Sequence, residues 1–247
     1  MSILSGIGAV ISVQFFSRAI TFVLNILVAR FAKPDDYGVG FVSFQLFCNL
    51  ALFPAKECFR KVAQRTPVAL QKKDETCIFR SKLNLAWFGV CVTLLSSIGL
   101  VIYWSRTEGG QMYFISVCIL GVSTFGESLG EPFLIGVLSH SDFHSRALGE
   151  GLAMFLRTIC LFFLVVGFGD IGFAYALSQL LYSLVWVGWF VRAFFRLERD
   201  PLPAQMQNGL LIWPDHKNDL REFVGQTIFK LFLTEGEKIL LLKLFSE

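Results

Sequence analysis

The stretch Gly126-Glu127-Ser128-Leu129-Gly130-Glu131-Pro132-Phe133 sits inside an otherwise apolar run from about Met112 to Leu138. A run of that length crosses a bilayer. An acidic residue near the centre of a spanning helix costs roughly 2.5–3.5 kcal/mol on insertion scales. Two acids four residues apart share one helix face. Glu127 and Glu131 therefore point together into a bundle interior or a water-filled cavity, not into lipid. Pro132 removes a helix hydrogen bond and crowds the preceding turn, which predicts a kink there.

Working outward, the 247 residues are 54% apolar and 17% charged, with 27 phenylalanines. Soluble domains average about 45–50% apolar and about 25% charged. The apolar residues fall into seven blocks, at about 3–31, 37–55, 83–104, 112–138, 146–168, 171–195 and 223–245. This pattern predicts an all-α polytopic membrane protein. Short connections suit helical hairpins, and Gly167-Phe168-Gly169-Asp170 reads as a tight turn. Two connections are longer, Lys56 to Lys82 and Arg196 to Glu222; the second reads as an irregular linker. No cleavable signal peptide is expected, because the N-terminus lacks a basic region before its long apolar run.

Most basic residues follow segments two, four and six, from Lys56 to Lys82, at Arg146 and from Arg192 to Arg221. The loops after segments one, three and five hold only Arg30, Lys33 and Arg106. The positive-inside rule then puts the N-terminus in the cytosol. A net charge of +3 reflects loop bias and does not indicate a nucleic-acid partner. The six cysteines are scattered, with no C-x-x-C pair, and read as small hydrophobes. His140, Asp142 and His144 share a short loop, too weak a pattern for a metal site. No nucleotide-binding or hydrolase motif occurs. The expectation is a protein without cofactor or metal that is not an enzyme.

Several charged groups then need a purpose. Gln14, Arg18, Thr21 and Asn25 form one polar stripe on the first helix. Arg18 either neutralises Glu127 or Glu131 as structural glue, or lines a cavity for an anionic headgroup, whose oxygens a planar guanidinium matches. Arg157 lies deep in the fifth segment, seven residues from Glu150. Glu235, with Glu237 and Lys238, interrupts the last segment. Lys56, Glu57, Arg60 and Lys61 read either as an interfacial anchor among lipid headgroups or as a cytosolic basic vestibule for a diphosphate-bearing lipid.

Taken together, Arg18–Asn25, Lys56–Lys61, Leu129–Phe133 and Leu233–Lys238 resemble blocks of the eukaryotic dolichol-linked oligosaccharide translocation family, within the multidrug/oligosaccharidyl-lipid/polysaccharide exporter superfamily. Members are about twice this length, with two six-helix lobes around a central cavity. The resemblance implies an N-terminal six-helix lobe at 1–195, a cytosolic linker at 196–222 and, at 223–247, the first helix of a second lobe. It implies the endoplasmic reticulum membrane and a dolichyl-diphosphate oligosaccharide moved from the cytosolic to the luminal leaflet during N-linked glycosylation. It carries over Arg18, Glu57, Arg60, Glu131 and Glu235 as candidate positions. Lys56 stands where the family often has arginine, which weakens bidentate phosphate contact. Two other readings remain: a scaffold that binds glycosylation-pathway enzymes and moves nothing, and a cation-coupled exporter working through Glu127 or Glu131.

Overall fold

The computed structural model describes residues 15, 18–20, 22–24, 26–30, 38–65, 75–106, 110–140, 142–197, 201–203 and 214–245. Helix dominates these residues and no strand occurs among them. Residues 18–20, 22–24 and 26–30 are helical. A continuous rod follows, built from a π-helical piece Gly38–Phe44, helix α1 (Gln45–Phe53), a second π-helical piece Pro54–Phe59 and helix α2 (Arg60–Gln64). Then come α3 (Glu75–Ser105), α4 (Gln111–Ser139), α5 (Phe143–Phe168), α6 (Ile171–Phe195) and α7 (Pro214–Phe245).

Local chemistry sets the element ends. Gly169 takes a left-handed φ of 73° after α5, a conformation glycine adopts without a Cβ clash. Asp170 then caps α6 by accepting from the Phe173 N–H at 3.0 Å. The expected tight turn is therefore present. Asp142 caps α5 in the same way, through the Ser145 N–H at 3.0 Å.

Three boundaries differ from expectation. The second segment does not end at Lys56 but stays helical to Gln64. Its last turns bury Cys58, Phe59, Val62 and Ala63 while Lys61 and Gln64 stay exposed. Such an amphipathic face continues a helix past the point where a purely apolar run stops. For the same reason α3 begins at Glu75 and α7 at Pro214, so both long connections are partly helical. Pro132 lies inside α4, which runs as one α-helix to Ser139. The departure from α-helical bonding falls at Pro54 instead, where the second π-helical piece begins. A proline lacks the N–H that an α-helix needs, and π-bulges absorb such losses.

Among the described residues four helices are long and apolar enough to cross a membrane: Glu75–Ser105, Gln111–Ser139, His144–Phe168 and Ile171–Phe195. Helix α7 is not among them; Lys230, Glu235, Glu237, Lys238 and Lys243 punctuate its apolar half. Polarity is inverted relative to a soluble protein. On α4, Ser116, Ser123, Thr124, Glu127, Ser128 and Glu131 are buried while Met112, Phe114 and Val122 face outward. Phe163, Leu184, Leu95 and Phe229 are likewise exposed on other helices. Water would penalise that much exposed apolar surface, whereas lipid does not. The chain is an all-α polytopic membrane protein.

Helix α4 is central, packing on α3 and α6, while α5 packs on α6. Glycines make the α4–α6 seam tight. A Cβ at Gly130 would come within 2.6 Å of the Trp186 ring, and one at Gly136 within 2.2 Å of Phe194. Small residues let helices approach in this way. One apolar cluster, including Phe44, Phe47, Trp104 and Tyr175, closes one end of the bundle. A second, with Phe59, Val62, Leu85 and Ile135, lies towards the other. The charged residues of α4 fall between these two clusters along its length.

A buried charge ladder and a polar relay

The second π-helical piece and α2 run alongside α4 in the same direction. Lys56 reaches Glu127, and four residues on in both helices Arg60 reaches Glu131. Two rungs of equal spacing therefore join two parallel helices. Both carboxylates are buried, Glu127 at 1% and Glu131 at 2% exposure. Each rung is closed differently. Arg60 grips both oxygens of Glu131, with Nε donating to Oε2 at 2.8 Å and Nη2 to Oε1. Such a fork is among the stronger ion-pair geometries. Lys56 donates to Glu127 Oε1, and the other oxygen accepts from Gln179 Nε2 of α6 at 3.0 Å. The ladder neutralises its own charge, which is how buried ions are retained at tolerable cost.

A second polar chain begins above Tyr175. The Arg157 guanidinium lies 4.9 Å from the Tyr175 ring centroid and 5.9 Å from that of Tyr182. Cation–π contacts of this kind are worth about 0.5–2 kcal/mol. Among the described residues no carboxylate forms an ion pair with Arg157. The Tyr175 hydroxyl donates to Gln45 Oε1, Gln45 Nε2 donates to Asn49 Oδ1 at 3.0 Å, and Asn49 Nδ2 donates to Glu235 Oε1 at 2.8 Å. Lys238 closes the chain on Glu235 Oε2 at 2.9 Å. Four separate helices, α5, α6, α1 and α7, are thus tied by one line of polar groups. Glu57 adds a further tie to α7, accepting from Lys230 and from Lys61, each at 2.6 Å.

These positions redistribute the roles expected from sequence. Glu127 and Glu131 do share one face, as their spacing requires. Their partners, however, are Lys56 and Arg60, not Arg18, which is exposed. Asn25, with Gln14 and Thr21, lies outside the described residues. The basic block is split: Lys56 and Arg60 turn inward, while Glu57 and Lys61 turn towards α7 and the surface. Glu150 pairs with Arg146 at 2.9 Å and leaves Arg157 to the tyrosines. Glu235, 7% exposed, is tied to α1 and does not meet the ladder carboxylates.

Sequence reasoning missed Gln45, Asn49, Gln179, Tyr175 and Tyr182. A signal existed. Gln45, Asn49 and Gln179 are amides inside apolar spans, where an unsatisfied polar group is costly. The equal four-residue spacing of Lys56/Arg60 and Glu127/Glu131 also allowed the correct pairing to be read. Two buried atoms remain without a partner beside the ladder, Gln179 Oε1 and Trp186 Nε1.

What the arrangement offers chemically is binding. It has a self-neutralised ladder, a guanidinium over aromatic faces and several amides. Comparison with known proteins puts this geometry in context. The chain is 27% identical to the Man(5)GlcNAc(2)-PP-dolichol translocation protein RFT1 of Dictyostelium discoideum, covering 99% of this chain and 48% of that protein. The mouse protein of the same name is 27% identical over 95% of this chain and 46% of its own length. That of Candida albicans is 28% identical over 97% and 47%. The chain thus spans about half the length of these relatives. No solved structure matches it significantly. The family described as "Rft-1: Rft protein" matches residues 2–246, and the chain belongs to that family.

Proposed function

We propose that this chain is part of an endoplasmic reticulum glycolipid translocator acting on dolichyl-diphosphate-linked oligosaccharide. The lipid moves from the cytosolic to the luminal leaflet in N-linked glycosylation, and no covalent bond is made or broken. The observation that carries the reading is Arg157, an interior cation resting on two tyrosines with no ion-paired carboxylate among the described residues, in a chain of this family. A diphosphate supplies the missing negative charge, and a guanidinium binds its oxygens bidentately. Tyr175 and Tyr182 hold the guanidinium in place from their ring faces. The ladder acids hold Lys56 and Arg60, so these cations reach a phosphate only by exchanging partners. The dolichyl tail stays in lipid, which avoids desolvating it.

In this reading residues 1–195 form a six-helix lobe with a cytosolic N-terminus, 196–222 a cytosolic connection and 223–247 the start of a second lobe. Two lobes rocking about a central cavity would expose the headgroup to each side in turn. In this reading Arg18, exposed on the first helix of the same lobe, lines the cavity between the lobes.

One observation favours a second reading. The ladder is closed on itself, as a purely structural tie would be. A scaffold that gathers glycosylation-pathway enzymes and transports nothing would use it that way. The deciding experiment is a rescue in cells depleted of their own Rft protein, reading the dolichol-linked glycan pool. The expressed proteins carry this chain joined to the C-terminal half of a relative, with and without Arg157→Gln or Arg18→Leu. The expected result is clearance of the accumulated cytosolic-face intermediate by the parent and failure of both variants at equal membrane abundance. Full rescue by Arg157→Gln removes the cation from the mechanism and leaves the scaffold reading.

A further inference from the structure

Where α5 begins and α6 ends, the two helices enclose a pocket of about 200 Å³ lined by Ser145, Trp189, Arg192, Ala193 and Arg196. Its floor is fixed. The Trp189 indole N–H donates to the Ser145 carbonyl at 2.8 Å. The indole lies against Gly149, where a Cβ would come within 2.4 Å of the ring. Only glycine leaves room for the tryptophan in that seat. Arg192 and Arg196 are one turn apart on α6, so they share a face, and both are exposed. Among the described residues neither has an ion-pair partner. The carboxylate at the start of α5, Asp142, accepts from the Ser145 N–H with one oxygen and from its hydroxyl with the other, and Arg196 acts on it only from beyond ion-pair distance.

The helix C-terminus attracts cations by itself. That explains two arginines at the end of α6 but not a pocket beside them with a locked indole floor. The depth is also telling. Helix α6 is an apolar span ending at Phe195, and tryptophan concentrates at the membrane–water boundary. Leu184, about two turns back on the same helix, is 63% exposed, so α6 presents apolar surface to lipid close below the arginines. Two guanidinium forks at headgroup depth, next to a lipid-facing helix surface, match one ligand chemistry: a phosphate oxyanion carrying acyl chains.

We propose that this pocket binds the phosphate headgroup of an anionic phospholipid from the leaflet on that side. The site is independent of Arg157 and of the translocation reading. A neighbouring pocket, lined by Glu75, Lys82, Ser139 and His140, supplies its own carboxylate and serves as a control.

The test uses the purified chain in mild detergent, titrated with dioleoylphosphatidic acid and followed by native mass spectrometry. Dioleoylphosphatidylcholine and inorganic phosphate are the other probes. Phosphatidic acid should bind, phosphatidylcholine should bind at least tenfold more weakly, and phosphate at equal concentration should not displace the lipid. Each cation facing an anionic lipid contributes about fivefold, so Arg192→Gln with Arg196→Gln should weaken binding roughly tenfold or more. Lys82→Gln should bind like the parent. Wild-type affinity in the glutamine pair, or equal binding of phosphatidylcholine, overturns the proposal. Displacement by equimolar phosphate overturns the lipid assignment in favour of a soluble anion. If the glutamine pair fails to fold, Arg192→Lys with Arg196→Lys decides. It keeps the charge that supplies most of the binding, so affinity within about threefold of the parent supports the site, and a loss as large as that expected of the glutamine pair refutes the charge-based assignment.

Discussion

Cutting the Arg60–Glu131 rung from the arginine side should cost more than removing it whole. Arg60→Met leaves Glu131, whose side chain is 3% exposed, as a buried carboxylate with both oxygens abandoned. Breaking a buried pair this way costs about 3–5 kcal/mol. Glu131→Gln leaves the Arg60 side chain, 14% exposed, with a neutral amide partner and should cost about 2 kcal/mol. The double variant leaves no charge to neutralise, only a buried amide short of partners, and should cost about 1–3 kcal/mol. The expected coupling energy is therefore at least about 2 kcal/mol. The Lys56–Glu127 rung should couple more weakly. Lys56 is 32% exposed on its side chain, and Gln179 still holds one oxygen of Glu127 after Lys56→Met. Unfolding in mixed micelles at rising sodium dodecyl sulfate mole fraction, followed by circular dichroism, measures all four corners of each cycle. Single costs that add to the double within about 0.5 kcal/mol would show that the rungs are not paired in the membrane, and the ladder would be lost as an explanation.

Three further outcomes test separate parts of the structure. Asn49→Ala removes the link between α1 and Glu235; hydrogen exchange should speed up in α7 and stay unchanged in α4, and equal protection of α7 would refute the tie. Gly130→Ala should destabilise by about 1–3 kcal/mol through overpacking on Trp186, whereas Gly188→Ala, with nothing within 4 Å of the added Cβ, should stay within about 0.5 kcal/mol of the parent by the same micelle unfolding. Asp142→Ala removes the cap of α5 and should cost about 1 kcal/mol. Burial pushes the Asp142 carboxyl up, but the two bonds from Ser145, with the nearby charges of His144 and Arg196, outweigh it and hold it below its ordinary value of 3.8. The folded state thus binds the proton less readily than the unfolded chain. The cap's contribution is complete above that ordinary value and disappears as pH falls through the lower folded value. The stability gap between parent and Asp142→Ala should narrow only in that acid window, and a gap constant through it would refute the charged cap.

The membrane character, the helical class and the inward face of Glu127 and Glu131 were all legible in the sequence, because each follows from spacing and from the cost of charge in lipid. The partner assignment was not. Arg18 looked central because it interrupts an apolar run, while Lys56 and Arg60 looked peripheral because they follow one. Apolar runs locate helices by where hydrophobicity stops. Here helix continues past Lys56 as an amphipathic rod, and that continuation carries the cations inward. Pro54 contributes by opening a π-helical piece at the same point, a change of winding that composition does not report. The amides of the relay and the ladder were overlooked for a simpler reason. Gln45, Asn49 and Gln179 carry no charge, so a search for charges passes over them, although a neutral amide in lipid also demands a partner.

The interior separates into a part that is satisfied and a part that is not, and the separation bears on mechanism. In the two rungs all four carboxylate oxygens accept a hydrogen bond, and the first offers Glu127 a second donor in Gln179. A satisfied group is expensive to disturb, which suits a hinge or tie that must survive many cycles. Arg157 differs: its neighbours are aromatic faces, which attract a cation without neutralising it. A ligand anion gains the full interaction there without first displacing a carboxylate. At Lys56 or Arg60 the same anion must expel Glu127 or Glu131 into a low-dielectric interior, a penalty that consumes most of the gain. Differential affinity is all that a ligand contributes to a conformational change. An anion that enters this bundle should therefore settle first at Arg157. From there Tyr175, Gln45, Asn49 and Glu235 form a hydrogen-bonded line to α7. If that line transmits binding, Asn49→Ala should leave ligand affinity at Arg157 intact while removing any ligand-dependent protection of α7 from exchange. Loss of affinity and loss of protection together would mean that Asn49 shapes the site itself.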